Sequence, residues 1–336
     1  MIFRSPGRDS SRTMPVRRSR IRLLVLALAA CGLPLSAVAQ ASFPNKAVSI
    51  FVPFTAGGFS DNVARSVGTA LAARWNVPVV VENRPGGGGL IAAGAVVKSA
   101  PDGYSLFLAN ISTNAINPNI YRNLPFDVGQ ELEPVILVAR TPNVLAVGNE
   151  VPASTVKELV ELAKTKQLMF GTPGAGSSGH LSGEMFSARA NVKFQHVPYK
   201  GSPQVLLDVV NGNLQFTFDN ILTWAPQAKS NRVRAIAVTS HARSPLLPDV
   251  PTIAESGYPG FQATSWFGIA APRGTPRAVI DKLNADINEV IASAEFRQKM
   301  SGAEVVGGTP DDFRAFIASE RQQWGQVAKA INLTAD

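Results

Sequence analysis

Apolar runs recur along the chain, with helical patterns filling the intervals between them. Residues 48–53, 77–81, 104–109, 135–138 and 144–147 read as strands, as do 168–170, 194–197, 215–218, 235–238 and 267–270. The runs are continuous rather than strictly alternating, which suits parallel strands covered on both faces. Between them, apolar positions at the 3.6-residue period predict helices over 61–75, 90–99, 156–164, 180–190, 203–211, 276–300 and 310–331. Strands and helices alternating in this way predict an α/β fold. Ten strands are many for one sheet, so the pattern predicts two sheets in two lobes. No internal repeat or low-complexity linker interrupts it after the first 39 residues.

Composition supports a folded chain: 45% of residues are hydrophobic and 17% charged, too apolar for disorder. A net charge of +8 points on its face to nucleic acid or an acidic surface. The excess is local, because residues 1–39 hold seven arginines (Arg4, Arg8, Arg12, Arg17, Arg18, Arg20, Arg22) against one acid, Asp9. Without them the charge falls to +2, and the nucleic-acid reading falls with it. The arginines precede an apolar run from Leu23 that ends in Ala37-Val38-Ala39, an A-x-A cleavage site. This predicts a cleavable signal peptide over residues 1–39 and export to the periplasm. Gly32, Pro34 and Ser36 disfavour a permanent anchor. Met14 offers a second start, and the residues after Arg17-Arg18 do not complete a twin-arginine signal. Cys31, the only cysteine, also completes a lipoprotein box with Leu28, Ala29 and Ala30. That is the minority alternative, since the apolar run continues past Cys31 to the A-x-A site. Cleaved after Ala39, the chain has no cysteine, hence no disulfide, thiolate nucleophile or Cys-ligated metal.

Three glycine-rich turns lie between a strand and a helix. The first, residues 53–61 (PFTAGGFSD), has Gly57 and Gly58 for close backbone approach and Ser60 or Asp61 as a cap. The second, residues 83–89 (NRPGGGG), spends four glycines, so something there needs bare backbone. The third, residues 171–180 (GTPGAGSSGH), opens a helix with hydroxyls and free amides. Each reads either as a tight turn with a cap or as an anion site at a helix start; together they favour an anion held between lobes. Nucleotide fingerprints and G-x-S-x-G are absent. Ser154 and Lys157 match S-x-x-K, but Thr155 with Glu158 explains that stretch as a capping box. His180, His196 and His241 are too scattered for a metal site. Asp219, ending a strand, suits a ligand, a water or a helix cap equally. Phe54, Phe59, Trp224 and Trp266 suit either a ligand pocket or the core.

Taken together, FPNKAVSIFVPFTAGGFSDNVAR, VENRPGGGG, PDGYSLFLAN, AINPNIY, GTPGAGSSGHLSGEMF, VPYKGSPQVLLDVVNG, LPDVPTIAESGYPGF and WFGIAAPRGTP resemble the Bug family. Bug proteins are the periplasmic substrate-binding proteins of tripartite tricarboxylate transporters. The likeness runs from about Phe43 to the C-terminal helix. It implies a type II-like two-lobed fold, two mixed sheets flanked by helices with a cleft between the lobes. By that analogy residues 41–140 and 262–336 form lobe 1 and 141–261 lobe 2, with hinges near 140–141 and 261–265. It implies a monomer that closes on one small organic carboxylate, without catalysis, metal or cofactor, and hands it to membrane transporter subunits or a sensor protein. The site residues it implies are Thr55, Ala56, Gly57, Gly58 and Asp61 in the first turn, and Gly176, Ser177, Ser178 and His180 in the third. Asn110 and Ser112 (within residues 110–113), Lys200, Gly201 and Asp219 face the cleft on the same analogy. Phe54 and Phe59 lean toward an aromatic acid, and the absence of a basic cluster at the turns leans against a triply charged one. The alternative from another class is an exported serine hydrolase using Ser177 or Ser178 with His180, which supplies only two members of a triad.

Overall fold

The computed structural model describes residues 43–334; the leader, its cleavage site and Cys31 lie outside the described residues. The order of elements begins with β1 (Val48–Val52), α1 (Phe59–Trp75), β2 (Val79–Asn83), α2 (Leu90–Val97) and β3 (Ser105–Asn110). A π-helical turn (Ser112–Ile116), α3 (Asn117–Ile120) and α4 (Val128–Glu131) lead to β4 (Leu132–Gly148). Next come α5 (Val156–Thr165), β5 (Leu168–Thr172), α6 (Ser178–Ala190), β6 (Phe194–Pro198), α7 (Ser202–Val210), β7 (Phe216–Asn220) and α8 (Ile221–Lys229). The chain ends with β8 (Val233–Val238), β9 (Thr264–Pro272), α9 (Arg277–Ala292), α10 (Ala294–Lys299), β10 (Glu304–Val305) and α11 (Pro310–Ala330).

The strands run in the order β2-β1-β3-β9-β4-β7-β5-β6, with β8 and β10 also pairing with β4. Pairing is parallel among β1, β2 and β3 and among β5, β6 and β7, but β9 and β4 are antiparallel to their neighbours. The strands are therefore mixed in direction, as the Bug resemblance implies, where the apolar runs alone suit parallel strands. The reason lies in burial: β4 and β9 are covered on both faces, and that alone produces a continuous apolar run. The two runs at 135–138 and 144–147 are one 17-residue strand. The proline that signals a break, Pro142, sits where β4 changes partners. Its first part pairs with β9 as far as Pro142↔Thr264, and from Asn143 it pairs with β7 and β8. A residue without an N–H is tolerated at such a junction.

Helix boundaries follow the sequence period closely, with one split. The run over 276–300 is two helices, broken at Ser293, whose side chain accepts from Phe296 N to cap the second. Thr155 caps α5, accepting from Glu158 N, but Glu158 accepts from Ser154 N rather than from the Thr155 amide, so the expected capping box is only half formed. α1 and α9 lay Val63, Val67, Leu71, Ile280, Leu283 and Ile287 against Ile50, Val52 and Ile136, all at 2% exposure or less. α11 buries Phe313 and Trp324 beside Trp266. α7 and α8 bury Val205, Val209 and Trp224 against Val144 and Ala146. Each large apolar side chain so buried contributes about 1.5–3 kcal/mol. The π-helical turn, α3, α4, α8 and β10 have no counterpart in the sequence pattern. They are short, or, like α8, carry an internal proline (Pro226) that reads as a breaker.

Candidate functional site

The loops leaving the carboxyl ends of β1, β3, β5, β6 and β7 gather at one place, where open α/β sheets bind ligands. They surround, with β9, a narrow cavity of about 20 Å³. The first loop supplies Phe54, Gly58, Phe59 and Ser60; β3 and the turn after it supply Asn110, Ile111 and Ser112. The third loop supplies Pro173, Ser177 and Ser178, α7 starts with Ser202, β7 ends in Asn220, and β9 adds Ser265 and Phe267. None of these side chains is ionisable.

The first loop is folded around Asp61. Its carboxylate accepts from Gly57 N (3.0 Å), Arg65 Nε (2.9 Å) and Asn83 Nδ2 (2.9 Å), and Asn83 also donates to Phe54 O. Burial opposes the charge, but donation from Arg65, Gly57 and Asn83 outweighs it and holds Asp61 below the usual carboxylate range. Asp61 is thereby committed to the loop. Gly57 takes φ +89°, a conformation side chains resist. The α1 N-cap is Gly58, with no side-chain cap, so the amides of the first turn stay available. Phe59 packs edge to face on Phe267, ring centroids 5.4 Å apart, and is 2% exposed. Its ring belongs to both the core and the cavity wall.

Asn110 ties the next turn: its Oδ1 accepts from Ser112 N (2.9 Å) and Thr113 N (3.3 Å), its Nδ2 donates to Leu108 O. In the third loop Ser177 caps α6 by accepting from His180 N (3.2 Å), Gly176 N donates to His180 Nδ1 (3.1 Å), and Ser178 Oγ donates to Asn143 Oδ1 (3.3 Å). The His180 ring stacks on His196, centroids 3.8 Å apart, and His196 Nε2 lies 2.7 Å from Thr172 Oγ1. Burial lowers His180 to about 4; burial and then the His180 charge lower His196 to about 3. A neutral His180 is what the loop requires, since its Nδ1 must accept. Neither serine hydroxyl hydrogen-bonds the imidazole among the described residues, so the nucleophile–base pair of a hydrolase is not formed.

Asp219 is buried and accepts from Trp224 Nε1 (2.9 Å) and Asn220 N (2.7 Å), with Ser202 beside it. Burial raises its pKa against those donors. It stands behind Ser202 and Asn220 rather than on the cavity wall. Lys200 is exposed, and its carbonyl accepts from Thr55 N at 3.0 Å. Gly201 faces Thr55 so closely that a Cβ would overlap Thr55 Oγ1. Ala56 and Gly57 are exposed beside this contact.

Of the residues expected from sequence, Phe54, Gly58, Phe59, Asn110, Ser112, Ser177 and Ser178 line the cavity. Thr55, Ala56, Gly57, Asp61, Gly176, His180, Lys200, Gly201 and Asp219 build the loops around it. Ser60, Ile111, Pro173, Ser202, Asn220, Ser265 and Phe267 were not anticipated. Ser202 had a signal, a serine directly before a proline at a helix start. The second glycine turn stays off the cavity wall: Gly86, Gly87, Gly88 and Gly89 all have positive φ, and Gly88 O accepts from Asn117 Nδ2 (2.8 Å). Among the described residues no cluster of His, Cys, Asp or Glu could hold a metal, and no helix is long and apolar enough to cross a membrane.

The arrangement can hold an anion without a cation. The N-termini of α1 and α7, which have no side-chain cap, and of α6, capped by Ser177, meet at the cavity, where free amides and the positive ends of helix dipoles favour negative charge. Hydroxyls of Ser60, Ser112 and Ser265 have no partner among the described residues.

Comparison with known proteins agrees. Protein BugT of Bordetella pertussis is 35% identical over 311 residues, 91% of this chain and 94% of BugT. Rpa4515 of R. palustris, solved with adipate, is 36% identical with a TM-score of 0.84, covering 87% of this chain and 99% of that one. The periplasmic binding protein BugD is 34% identical with a TM-score of 0.83, covering 87% and 99%. MatC of Rhodopseudomonas palustris, solved with bound malate, is 29% identical with a TM-score of 0.81, covering 85% and 99%. These solved neighbours are binding proteins and lend no support to a hydrolase. Residues 63–333 match the family model of the tripartite tricarboxylate transporter family receptor, and the chain belongs to that family.

Proposed function

We propose that this protein is an exported solute-binding protein that captures one small organic carboxylate between two lobes and delivers it to a tripartite tricarboxylate transporter. The observation that carries the reading is the cavity on which three helix N-termini converge with no ionisable side chain on its wall. Charge-assisted hydrogen bonds from amides and hydroxyls are about twice as strong as neutral ones, which suffices for a carboxylate without a countercharge. Adipate in one neighbour and malate in another support an aliphatic diacid, and the Phe54, Phe59 and Phe267 rings on the wall suit an aromatic acid as well.

The lobes in this reading are residues 41–140 with 262–336, and 141–261. The chain crosses between them where β4 changes partners at Pro142 and Asn143, and again near 261–265. The two crossings are tied together: Thr239 Oγ1 donates to Ala263 O (2.6 Å) and accepts from Asn143 N (2.8 Å). Ligand contacts from both lobes then favour the closed state, as in other hinge-closing binding proteins.

A thermal-shift screen of residues 40–336 against citrate, succinate, adipate, glutamate, benzoate, terephthalate and nicotinate tests this. A ligand at a hundred times its Kd stabilises the fold by about 2.7 kcal/mol, an upward shift of a few degrees. Turnover of an ester or amide of these acids would overturn the reading.

A further inference from the structure

We propose that the acid this cavity takes carries a hydrogen-bond donor, a hydroxyl or an ammonium, in addition to its carboxylate, and that Asn220 selects for it. The inference rests on the carboxylate-binding reading and adds the chemistry of the ligand's other group. Asn220 lines the cavity and is 8% exposed. Its Nδ2 turns back toward Asp219 Oδ1 at 3.4 Å, while its Oδ1 is buried and accepts no hydrogen bond. Turning the amide over would set Oδ1 against the Asp219 carboxylate, so the side chain has one chemically sensible orientation. A buried carbonyl oxygen with no donor bears the full cost of its lost hydration, and native structures leave few such atoms.

The neighbouring oxygens have the same polarity. Ser202, also on the wall, lies beside the Asp219 carboxylate, which favours its hydrogen turned away from the cavity. Ser178 spends its hydrogen on Asn143 Oδ1 in the same way. Donation from the Asn220 amide to a carboxylate also polarises its Oδ1 into a stronger acceptor. On the α1 side the cavity offers donors instead: the uncapped first-turn amides and the Ser60 hydroxyl. An unsubstituted diacid brings acceptors to both sides and leaves Asn220 Oδ1 facing another lone pair. A hydroxy or amino acid pairs both.

The test is titration calorimetry with matched acids at three chain lengths: succinate, malate and aspartate; glutarate, 2-hydroxyglutarate and glutamate; adipate, 2-hydroxyadipate and 2-aminoadipate. At the preferred length a donor-bearing acid binds about tenfold or more tighter than its unsubstituted parent. The hydroxy and amino arms identify which donor is read. In Asn220→Ala the ratio of donor-bearing to parent affinity falls toward one. A parent that binds as tightly as both of its donor-bearing relatives overturns this inference and leaves the carboxylate reading standing. Failure of every acid to bind overturns both. If Asn220→Ala does not fold, the wild-type ratios alone decide.

Discussion

A single methyl group at Gly201 separates ligand closure from fold stability. A Cβ there would overlap Thr55 Oγ1 and lie 3.0 Å from Thr55 Cβ and 3.1 Å from Thr55 N. Rotating the threonine hydroxyl relieves the first contact but not the other two. Gly201 has φ 164°, extended backbone open to any residue, so the effect of Gly201→Ala is steric. The proposed lobe boundaries put Thr55 and Gly201 on opposite sides of the cleft. Overpacking at such a contact costs about 1–3 kcal/mol, and losing the Thr55 N–H to Lys200 O bond costs about 1 kcal/mol more. The cost falls on the closed state alone, so Kd rises roughly 30- to 1000-fold while the ligand-free protein, free to open, keeps its Tm. Gly179→Ala is the contrast: its Cβ would overlap Phe218 O, where α6 packs on β7 within one lobe. No opening motion relieves that clash, so Tm falls by several degrees with or without ligand. Calorimetric unfolding of both ligand-free variants and titration with the tightest acid read the two effects. An unchanged Kd in Gly201→Ala, or a loss of ligand-free Tm matching that of Gly179→Ala, would refute the reasoning.

Other perturbations follow from the same structure. The folded state holds His180 and His196 neutral down to about pH 4 and about pH 3, whereas their unfolded pKa is 6.5. The unfolded chain therefore binds more protons below about pH 6.5, and stability falls with pH from there until the folded values are passed. The urea midpoint of His196→Gln should fall less steeply than wild type over that window; parallel curves would contradict the burial argument. Thr239→Val leaves the buried Asn143 N–H without its 2.8 Å acceptor and should cost about 1–3 kcal/mol in denaturant unfolding. Asp219→Asn sets an amide donor among the Trp224 and Asn220 donors; a loss of about 1–3 kcal/mol is expected, and unaltered stability would contradict its assigned bonds. The intact mass of the exported protein should correspond to a chain starting at Gln40, and a lipid-modified Cys31 would contradict that.

Much of the fold is readable in the sequence because helix periodicity and apolar runs are local properties. Where the reading departs from the structure, the deciding term is not local. Pro142 looks like a strand terminus, yet its missing N–H falls where β4 exchanges one set of partners for another. The antiparallel direction of β9 depends on what covers it, and burial on both faces hides the alternation that would reveal it. In the site, glycine turns and hydroxyls at helix starts mark the first and third loops in sequence. Asn220 does not stand out, because it follows Asp219 at a strand end and nothing local tells which of the two faces the cavity. The answer lies in Trp224 of α8, whose indole binds Asp219 Oδ2 and holds that carboxylate behind the wall. Pro226 hides α8, and with it the partner that would have decided the question.

In the proposed site, backbone dipoles and hydroxyls grip a carboxylate with no cation. Isothermal titration of residues 40–336 with the acid that gives the largest thermal shift, and with its uncharged amide, tests this most directly. One molecule of acid should bind per chain, with the amide weakened by about tenfold or more because the charge-assisted bonds are lost. Equal affinity for the amide would contradict it.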